Sequence, residues 1–274
     1  MEARPITRVT VIGLGSIGSR HARNLRGMGI SVTGFDPDTQ RRATVTASGI
    51  TTFPDRESAL AVADAAIIAS PTPCHIDDLA AAIEANCHAL VEKPLGHRSD
   101  LLPALLDVAE DKKLIVAGAH NLRFRATIEK AKTIISDGQL GELYWARFLS
   151  ASYLPDWRPN RPYQDSYSAR ADEGGVLRDL VHDIDYAGWI FGWPASLQAR
   201  LRNLGRLGID AEEAADLNWE TPAGCSLSMC LDYLSRPTRR SITAHGEVGT
   251  AELNFIDQAV KVVLADEAEE EFLS

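Results

Sequence analysis

Short apolar runs alternate with stretches of helical periodicity along roughly the first 120 residues of the chain. Runs of about four to six residues rich in Val, Ile, Ala and Phe, bounded by glycine or polar residues, are typical of buried parallel strands. The pattern predicts strands at 8–12, 31–35, 65–69, 88–91 and 114–119, and helices at about 19–29, 38–48, 56–61, 75–86 and 99–112. Ser99 is the predicted N-cap of the last of these helices. This order predicts an α/β Rossmann domain with a doubly wound parallel sheet.

The second half of the chain begins with a helical stretch at 126–136. After it, apolar and polar residues alternate with the period of two that is typical of half-buried strands. Strands are predicted at 142–152, 196–204, 213–219, 225–233, 239–245, 250–255 and 260–264, with a long loop at 153–173 and a helix from 176 to about 192. Residues 221–224 read as a hairpin turn. We therefore predict a C-terminal α+β domain with a largely antiparallel open sheet and helices on one face. The predicted domains are 1–120 and 121–274.

Composition narrows the class of protein. The 274 residues are 45% hydrophobic and 24% charged, which is ordinary for a globular chain, and the formal net charge is −10. A nucleic-acid partner would need a basic face, so none is expected. An early strand with no charged and apolar leader, and no apolar run of about 20 residues, favours a cytoplasmic location without membrane contact. Four scattered cysteines, at 74, 87, 225 and 230, are interpreted as reduced thiols, and no metal site is expected.

A glycine motif follows the first strand. Gly13, Gly15 and Gly18 form G-x-G-x-x-G between a strand and a helix. The first glycine permits the tight turn, the second a close approach of backbone to pyrophosphate, and the third close helix–strand packing. The helix N-terminus, with Ser16 and Ile17 in its first turn, offers amide groups to phosphate. A merely tight turn would not need three glycines at this spacing, so we predict a dinucleotide site.

An acid stands where the second strand ends. Asp36 lies 23 positions after Gly13 and can accept hydrogen bonds from the adenosine ribose while repelling a 2′-phosphate. Arg41 and Arg42 act in the other direction, because arginine accommodates that phosphate. The predicted cofactor is NAD, with NADP less favoured.

Two further strand ends carry candidate residues. A stiff loop with Ser70, Pro71 and Thr72 follows the strand at 65–69, and its hydroxyl groups can face the cofactor. The strand at 88–91 ends in Glu92-Lys93-Pro94. Proline restricts the residue before it, so Lys93 is held extended at the carboxyl end of a strand, where open α/β sheets bind ligands. The alternative for Lys93 is a solvated surface lysine.

These motifs carry a family resemblance. GLGSIGSRHARNL, ASPTPCH and VEKPLG, in this order, resemble the glucose-fructose oxidoreductase, inositol dehydrogenase and MocA family of two-domain NAD(P)-dependent oxidoreductases. The resemblance implies a cis peptide at Lys93-Pro94 and a homodimer or homotetramer formed through the C-terminal sheet. It also implies a cofactor site formed by Gly13, Gly15, Ser16, Ile17, Gly18, Asp36, Ser70, Pro71, Thr72, His75, Glu92, Lys93 and Asn121. Family members usually continue into a further helix, so this chain either lacks that helix or is incomplete; the acidic stretch 266–271 is interpreted as a solvated tail.

The long loop and the start of the second domain supply candidate substrate contacts. Trp157, Arg158, Tyr163 and Tyr167 can stack on and hydrogen-bond a polyhydroxylated ligand, and the loop is similar to a sugar or nucleotide-sugar branch of the family. Arg123, at the start of the second domain, is a further candidate substrate contact. The alternative is that Trp157 and Pro159 simply anchor the loop.

The helix predicted from residue 176 carries an acid and a histidine among apolar residues. At helical spacing Asp179, His182, Asp185 and Tyr186 share one polar face. Many family members place the acid four residues before the histidine; here the interval is three, with Arg178 at the other position, and the branch that this chain resembles shares the shorter interval. A structural polar pair is the alternative interpretation.

Together these residues suggest hydride transfer between nicotinamide and the hydroxyl or ketone carbon of a sugar, cyclitol or nucleotide sugar. Lys93, His182 and Asp179 are the catalytic candidates, and all three are also candidate substrate contacts. We expect His182 to accept the proton, Lys93 to stabilise the alkoxide and Asp179 to orient or relay, although lysine and histidine could exchange roles. Two alternatives stay open. One is an NAD-dependent glycosidase or lyase that oxidises its sugar transiently, and the other is a non-catalytic NAD-sensing protein.

Overall fold

The computed structural model describes residues 5–265 and 270–273. The chain divides into two compact units, with the division between Ala119 and His120. Within the described residues, no helix combines the length and apolarity that a membrane-spanning segment requires. All four cysteines are free thiols.

The N-terminal unit is a parallel α/β sheet. Its strands are β1 (Arg8–Ile12), β2 (Ser31–Phe35), β3 (Thr51–Thr52), β4 (Ala65–Ile68), β5 (His88–Val91) and β6 (Val116–Gly118). Its helices are α1 (Ser16–Gly27), α2 (Thr39–Ala47), α3 (Arg56–Leu60), α4 (His75–Glu84) and α5 (Leu102–Asp111). The sheet order is β3-β2-β1-β4-β5-β6, with parallel pairing throughout, and this confirms the predicted doubly wound fold.

Alternate strand residues enter two separate hydrophobic cores. Val9 and Val11 of β1 pack with Ala22 of α1, whereas Ile12 packs with Leu79 of α4. Because both faces are covered by helices, the strands are apolar on both sides and read as continuous hydrophobic runs. The carboxyl ends of β1, β4 and β5 therefore lie side by side in the sheet, and each is followed by one of the candidate loops.

The C-terminal unit is an α+β domain. Its helices are α6 (Ala126–Ser136), α7 (Val176–Asp179) and α8 (Val181–Phe191). Its strands are β7 (Leu143–Ala151), β8 (Ser196–Arg202), β9 (Ala214–Glu220), β10 (Ser226–Asp232), β11 (Arg239–Gly246), β12 (Gly249–Asn254), β13 (Ala259–Leu264) and β14 (Glu270–Leu273). The order is β14-β13-β12-β11-β7-β10-β9-β8; β7 and β10 run parallel and the other pairs antiparallel. The largely antiparallel sheet is confirmed. Ala146 and Phe148 enter the core, while Arg147 between them is exposed on the opposite face.

Several local predictions were wrong. Helix α5 begins at Leu102, and Ser99 does not cap it. The predicted helix of 176–192 is two helices, because Leu180 (φ −96°, ψ 22°) leaves the helical region. The loop at 153–173 contains three 3-10 turns, Leu154–Asp156, Tyr163–Asp165 and Tyr167–Ala169. The predicted acidic tail ends in a strand, since residues 270–273 pair with β13; residues 266–269 lie outside the described residues.

Candidate active site

The glycine turn of the N-terminal unit leaves room for a ligand at one position. A Cβ on Gly13 (φ +88°) would lie 2.4 Å from the Ser70 nitrogen, and one on Gly18 would lie 1.8 Å from the Gly13 oxygen. The fold itself therefore requires these two glycines. At Gly15, the N-cap of α1, an added Cβ would meet nothing within 4 Å. That open space lies beside the first-turn amides of Ser16 and Ile17, and it fits the pyrophosphate of a dinucleotide.

Asp36 ties β2 to the glycine turn. Its buried carboxylate accepts hydrogen bonds from the backbone N–H of Leu14 at 2.7 Å and of Asp38 at 2.9 Å, and the Arg41 guanidinium lies 3.5 Å away. Arg42 donates instead to the backbone oxygen of Asp36 at 2.5 Å. Both oxygens of the carboxylate are thus engaged within the protein, and contact with a ribose stays a prediction.

His75 joins the two loops that follow β4 and β5. Its ring is buried, with Nδ1 2.9 Å from the Pro94 oxygen and Nε2 2.8 Å from the Ser70 oxygen. The Ser70 hydroxyl donates to Asp78 at 2.6 Å, so it too is engaged within the protein. His75 therefore holds the two loops together, and the Ser70 hydroxyl, predicted to face the cofactor, is bound to Asp78 instead. Pro71 is exposed and Thr72 is half-buried in the turn between Ser70 and His75.

Lys93 is held between two braced neighbours. Glu92 Oε1 lies 2.7 Å from Nε2 of His21 on α1, and Glu92 Oε2 accepts from the Lys93 backbone N–H at 3.3 Å. Burial raises the pKa of Glu92, but the contacts with His21 and with the Lys93 amide lower it by more. The pKa of Glu92 is therefore below its ordinary value. The Lys93-Pro94 peptide is cis, as the resemblance implied. The Glu92-Lys93-Pro94 segment is thereby fixed to α1 on one side and to the Ser70 loop on the other.

In the C-terminal unit, Asp179 is the buried last residue of α7. The Tyr233 hydroxyl donates to its Oδ2 at 2.6 Å. Burial and the neighbouring Asp179 carboxylate raise the pKa of Tyr233 well above its ordinary value, and the same two causes raise the pKa of Tyr167. Both phenols therefore remain protonated donors beside the carboxylate.

His182 lies in the first turn of α8, separated from Asp179 by the break at Leu180. Its ring is edge-on to His120, with centroids 5.8 Å apart. Asp185, one turn later, accepts a two-pronged hydrogen bond from Arg123 at 2.8 and 2.6 Å, and its Oδ2 lies 3.5 Å from His120 Nδ1. The guanidinium predicted to touch substrate is thus bound to Asp185. Asn121 is exposed in the 3-10 turn that carries Arg123.

The predicted polar face of the helix is divided. Tyr186 is fully buried, and its hydroxyl donates to Asp183 rather than lying beside His182. Asp183 also accepts from Arg240 of β11 at 3.2 and 2.7 Å. Burial raises the pKa of Asp183, and the Arg240 charge opposes that shift. Tyr186 therefore belongs to a buried polar cluster that joins α8 to the sheet, and its predicted place on one polar face with His182 was wrong.

The loop at 153–173 uses some of its polar groups for anchoring. The Trp157 indole N–H donates to the Ser152 hydroxyl at 2.9 Å, and its ring meets the Tyr233 ring edge-on at 5.3 Å. The Tyr163 hydroxyl donates to the Leu207 oxygen at 2.9 Å. Trp157 and Tyr163 nevertheless line a hollow together with Arg158. Across the described parts of both units, no group of three or more His, Cys, Asp or Glu side chains could hold a metal ion.

Comparison with known protein families shows which family the chain resembles in each unit. Residues 7–120 match the model of the GFO/IDH/MocA oxidoreductase family described as an NAD-binding Rossmann fold, and residues 128–252 match that family's C-terminal domain. The chain belongs to the GFO/IDH/MocA family. Its N-terminal unit is the family's NAD-binding Rossmann fold, and this confirms the resemblance read from the motifs.

Named members of the GFO/IDH/MocA family are similar to parts of this chain. Levoglucosan dehydrogenase of Pseudarthrobacter phenanthrenivorans is 31% identical over 137 residues, which are 49% of this chain and 34% of that protein. UDP-N-acetylglucosamine 3-dehydrogenase of Acidithiobacillus ferrooxidans is 29% identical over 180 residues, 65% of this chain and 52% of that protein. The matched region thus spans about half or less of these relatives.

The fold agrees with a solved member of the GFO/IDH/MocA family over nearly the whole chain. The WlbA dehydrogenase of Chromobacterium violaceum, in complex with NADH and UDP-GlcNAcA, superposes with a TM-score of 0.86. The match covers 98% of this chain and 81% of that one at 21% identity. At this identity the likeness establishes the fold.

Sequence reasoning missed three residues that the structure places at these sites. His21 follows Gly18 by three positions, so the two residues share one face of the predicted helix. Because Gly18 is the glycine that packs against the strand, that shared face was the available signal for His21. His120 stands directly before the predicted Asn121, but a lone histidine there gives no pattern. Tyr233 reaches Asp179 from 54 positions away, and no local feature indicates that contact.

Proposed function

We propose that this chain is an NAD-dependent oxidoreductase that transfers a hydride between nicotinamide and a secondary hydroxyl or ketone of a sugar, cyclitol or nucleotide sugar. The observation that carries the proposal is Lys93, set at the end of a Rossmann strand between Glu92, which is bound to His21, and Pro94, whose oxygen contacts His75. Such bracing on both sides is unnecessary for a solvated surface lysine. The named relatives, two dehydrogenases of sugar or nucleotide-sugar substrates, support the same reaction class.

The residues present fit a dinucleotide. The open space at Gly15 and the helix amides behind it would hold the pyrophosphate. The remaining contacts are proposed from Asp36, Pro71, Thr72, Glu92 and Asn121, with Ser70 and His75 shaping the loop. When bound, NAD supplies the hydride acceptor. NAD is preferred to NADP because a carboxylate beside the ribose disfavours an additional phosphate.

The proton chemistry is assigned to side chains of this chain. His182 accepts the proton of the substrate hydroxyl, the Lys93 ammonium stabilises the developing alkoxide, and Asp179, oriented by Tyr233, positions the substrate or relays the proton. Lysine and histidine can exchange the first two roles without changing the overall reaction. We also propose that the chain forms a homodimer or homotetramer through its C-terminal sheet.

Variants Lys93→Ala and His182→Ala test the assignment. Each should lower turnover by at least ~10²-fold, a typical share for acid–base catalysis, because each removes a group that accepts the proton or stabilises the developing charge. NADH affinity, measured by fluorescence titration with NADPH as the comparison, should stay within a few-fold and favour NADH.

Lys113→Gly is the matched control. It removes an exposed lysine from the same unit at a position with φ +59°, which glycine adopts readily, so turnover should be unchanged. Parent-like turnover in both test variants would place the chemistry elsewhere. Turnover of sugar without net formation or consumption of NADH would indicate internal recycling, as in a glycosidase or lyase.

A further inference from the structure

The loop at 153–173 encloses a hollow within the C-terminal unit. The hollow has about 250 Å³ of space open to solvent, and its polar lining comes from two arginines, two serines and the rings of Trp157 and Tyr163. The arginines are Arg158 and Arg161, and the serines are Ser166 and Ser168. Its lining includes no carboxylate.

The two arginines of the hollow lack the acidic partner that several other arginines have. Arg123, Arg202 and Arg240, for example, each contact an aspartate at 2.6 to 2.7 Å. Among the described residues, no carboxylate lies within ion-pair distance of Arg158 or Arg161. Arg161 donates to the backbone oxygen of Asp165 at 2.8 Å, and the Arg158 guanidinium is 5.8 Å from the centre of the Tyr167 ring.

Two guanidinium groups line this one hollow, and an anion bound there would be attracted to both. In a chain of net charge −10, acidic side chains are plentiful, yet none fills this place. Guanidinium binds phosphate through paired hydrogen bonds, and serine hydroxyls add further donors. The lining is therefore suited to a phosphate oxygen cluster more than to a neutral sugar ring.

The hollow is linked to Asp179 through aromatic rings. The Trp157 ring contacts the Tyr233 ring, and the Tyr233 hydroxyl donates to Asp179. On the other side Arg158 lies over Tyr167, whose pKa is raised in part by Asp179. An anionic group in the hollow would thus sit one aromatic ring away from the carboxylate assigned to the reaction.

We propose that this hollow binds a phosphate group of the substrate, so that the substrate is a sugar carrying a phosphate monoester or diphosphate ester. This inference rests on the proposed function, because it treats Asp179 as part of the reacting site. Arg158 and Arg161 hold the phosphate, Ser168 adds a hydroxyl donor, and the sugar extends from the hollow towards Asp179; the Ser166 hydroxyl already donates to the Tyr163 oxygen at 2.6 Å.

Binding of four probes to the NADH-saturated full chain tests the proposal. The probes are glucose, glucose 1-phosphate, UDP and inorganic phosphate, each titrated by calorimetry. At least one of the two phosphate esters should bind at least ~10-fold more tightly than glucose, since charge-assisted hydrogen bonds are among the strongest polar contacts. If glucose 1-phosphate binds as tightly as UDP, the hollow binds a phosphate monoester. If UDP binds more tightly, the hollow binds the diphosphate of a nucleotide sugar.

Variants locate the binding. Arg158→Gln with Arg161→Gln should weaken the phosphate esters at least ~10-fold and leave NADH affinity unchanged, and Arg158→Lys, which keeps the charge but loses paired geometry, should give an intermediate loss. Arg206→Gln, at an exposed arginine outside the hollow, is the control and should bind like the parent. Both arginines of the hollow are exposed, so the variants should fold, which matched unfolding midpoints would verify.

The outcomes separate the two proposals. Binding of both phosphate esters no tighter than that of glucose, or ester binding unaffected by the double variant, overturns the phosphate site. Binding of inorganic phosphate alone, with no gain for either ester, also overturns it. If the parent protein does not bind NADH, the proposed function is contradicted. If the parent binds NADH and rapidly turns over neutral sugars, only the phosphate site is contradicted.

Discussion

Asp179 shows how a buried carboxylate can be kept in one orientation. The Tyr233 hydroxyl donates to it at 2.6 Å, and Tyr167 also interacts with it. Since burial and Asp179 raise the pKa of both tyrosines, both hydroxyls stay protonated through the neutral range. A carboxylate held in this way can orient a histidine or a substrate hydroxyl without itself needing to move.

Glu92 provides a pH-dependent prediction at the residue scale. Its pKa is lower in the folded protein than its ordinary value of 4.5, because contact with His21 and the Lys93 amide outweighs the effect of burial. Its contribution to stability is therefore complete above pH ~4.5 and is lost as the pH falls through the folded-state pKa. We expect Glu92→Gln to destabilise the protein above that pH and to match the parent progressively below it.

Urea unfolding at a series of pH values between about 3 and 7 measures this difference. In a His21→Ala background the pH-dependent part of the difference should shrink, because the main favourable partner of Glu92 is gone. A difference between parent and Glu92→Gln that grows on acidification would show that the sign is wrong.

At the scale of elements, the sequence located strand ends best where a run of apolar residues stops at a glycine or a polar residue. The bounds of β1 and β2 coincide with the predicted 8–12 and 31–35 because each run is flanked in that way. The two-residue strand β3 has no apolar run of its own; it exists because β2 offers a free edge for pairing. Its place could not be read from local pattern.

The break at Leu180 is a second feature that periodicity could not locate. The residues on both sides continue the helical pattern, yet Asp179 is drawn to Tyr233 of the sheet while Asp183, on the next helix, is fastened to Arg240. These contacts join residues 54 and 57 positions apart. Tertiary contacts of this kind override local propensity, and they decided which side chains accompany His182.

The turn between β1 and α1 gives a prediction with a control in the same helix. Gly18→Ala would place a Cβ 1.8 Å from the Gly13 backbone oxygen, which cannot move aside without opening the turn. We expect a loss of roughly 1–3 kcal/mol in stability and at least ~10-fold in NADH affinity. Gly27→Ala, where an added Cβ meets nothing within 4 Å, should instead leave NADH affinity unchanged and stabilise the protein by up to ~1 kcal/mol.

Urea unfolding and NADH fluorescence titration measure both quantities on the two variants. Parent-like NADH affinity in Gly18→Ala would mean that this turn does not hold the dinucleotide. A loss of affinity in Gly27→Ala as well would mean that the helix responds to any substitution, and the argument from close packing would fail.

For the whole molecule, motif order and element order were enough to predict the family and the fold of each unit. The bracing contacts were not predictable. His21 and Glu92 are 71 positions apart, and His75 and Pro94 are 19 apart, so neither pair forms a motif. The sequence therefore indicated which residues carry chemistry, but the partners that position them are set by the assembled sheet.

The C-terminal sheet leads to a prediction about assembly. Its residues that face away from the core include Arg147 on β7, which lies over the Trp145 ring, and Trp145 in turn stacks on His245 of β11 at 5.3 Å. Strand β7 is an inner strand of the eight, so this cluster lies well inside the face and suits the centre of a self-complementary contact.

Light scattering coupled to size-exclusion chromatography should give the mass of a dimer or tetramer for the parent chain. Arg147→Glu should shift that mass to the monomer, because in a two-fold contact the new charge is introduced twice into the centre of the interface and must be desolvated there. Arg206→Glu makes the same charge change at an exposed position outside the sheet and should leave the mass unchanged. If Arg147→Glu assembles like the parent, subunits meet through another surface. If the parent itself is a monomer, this sheet face does not serve for self-association.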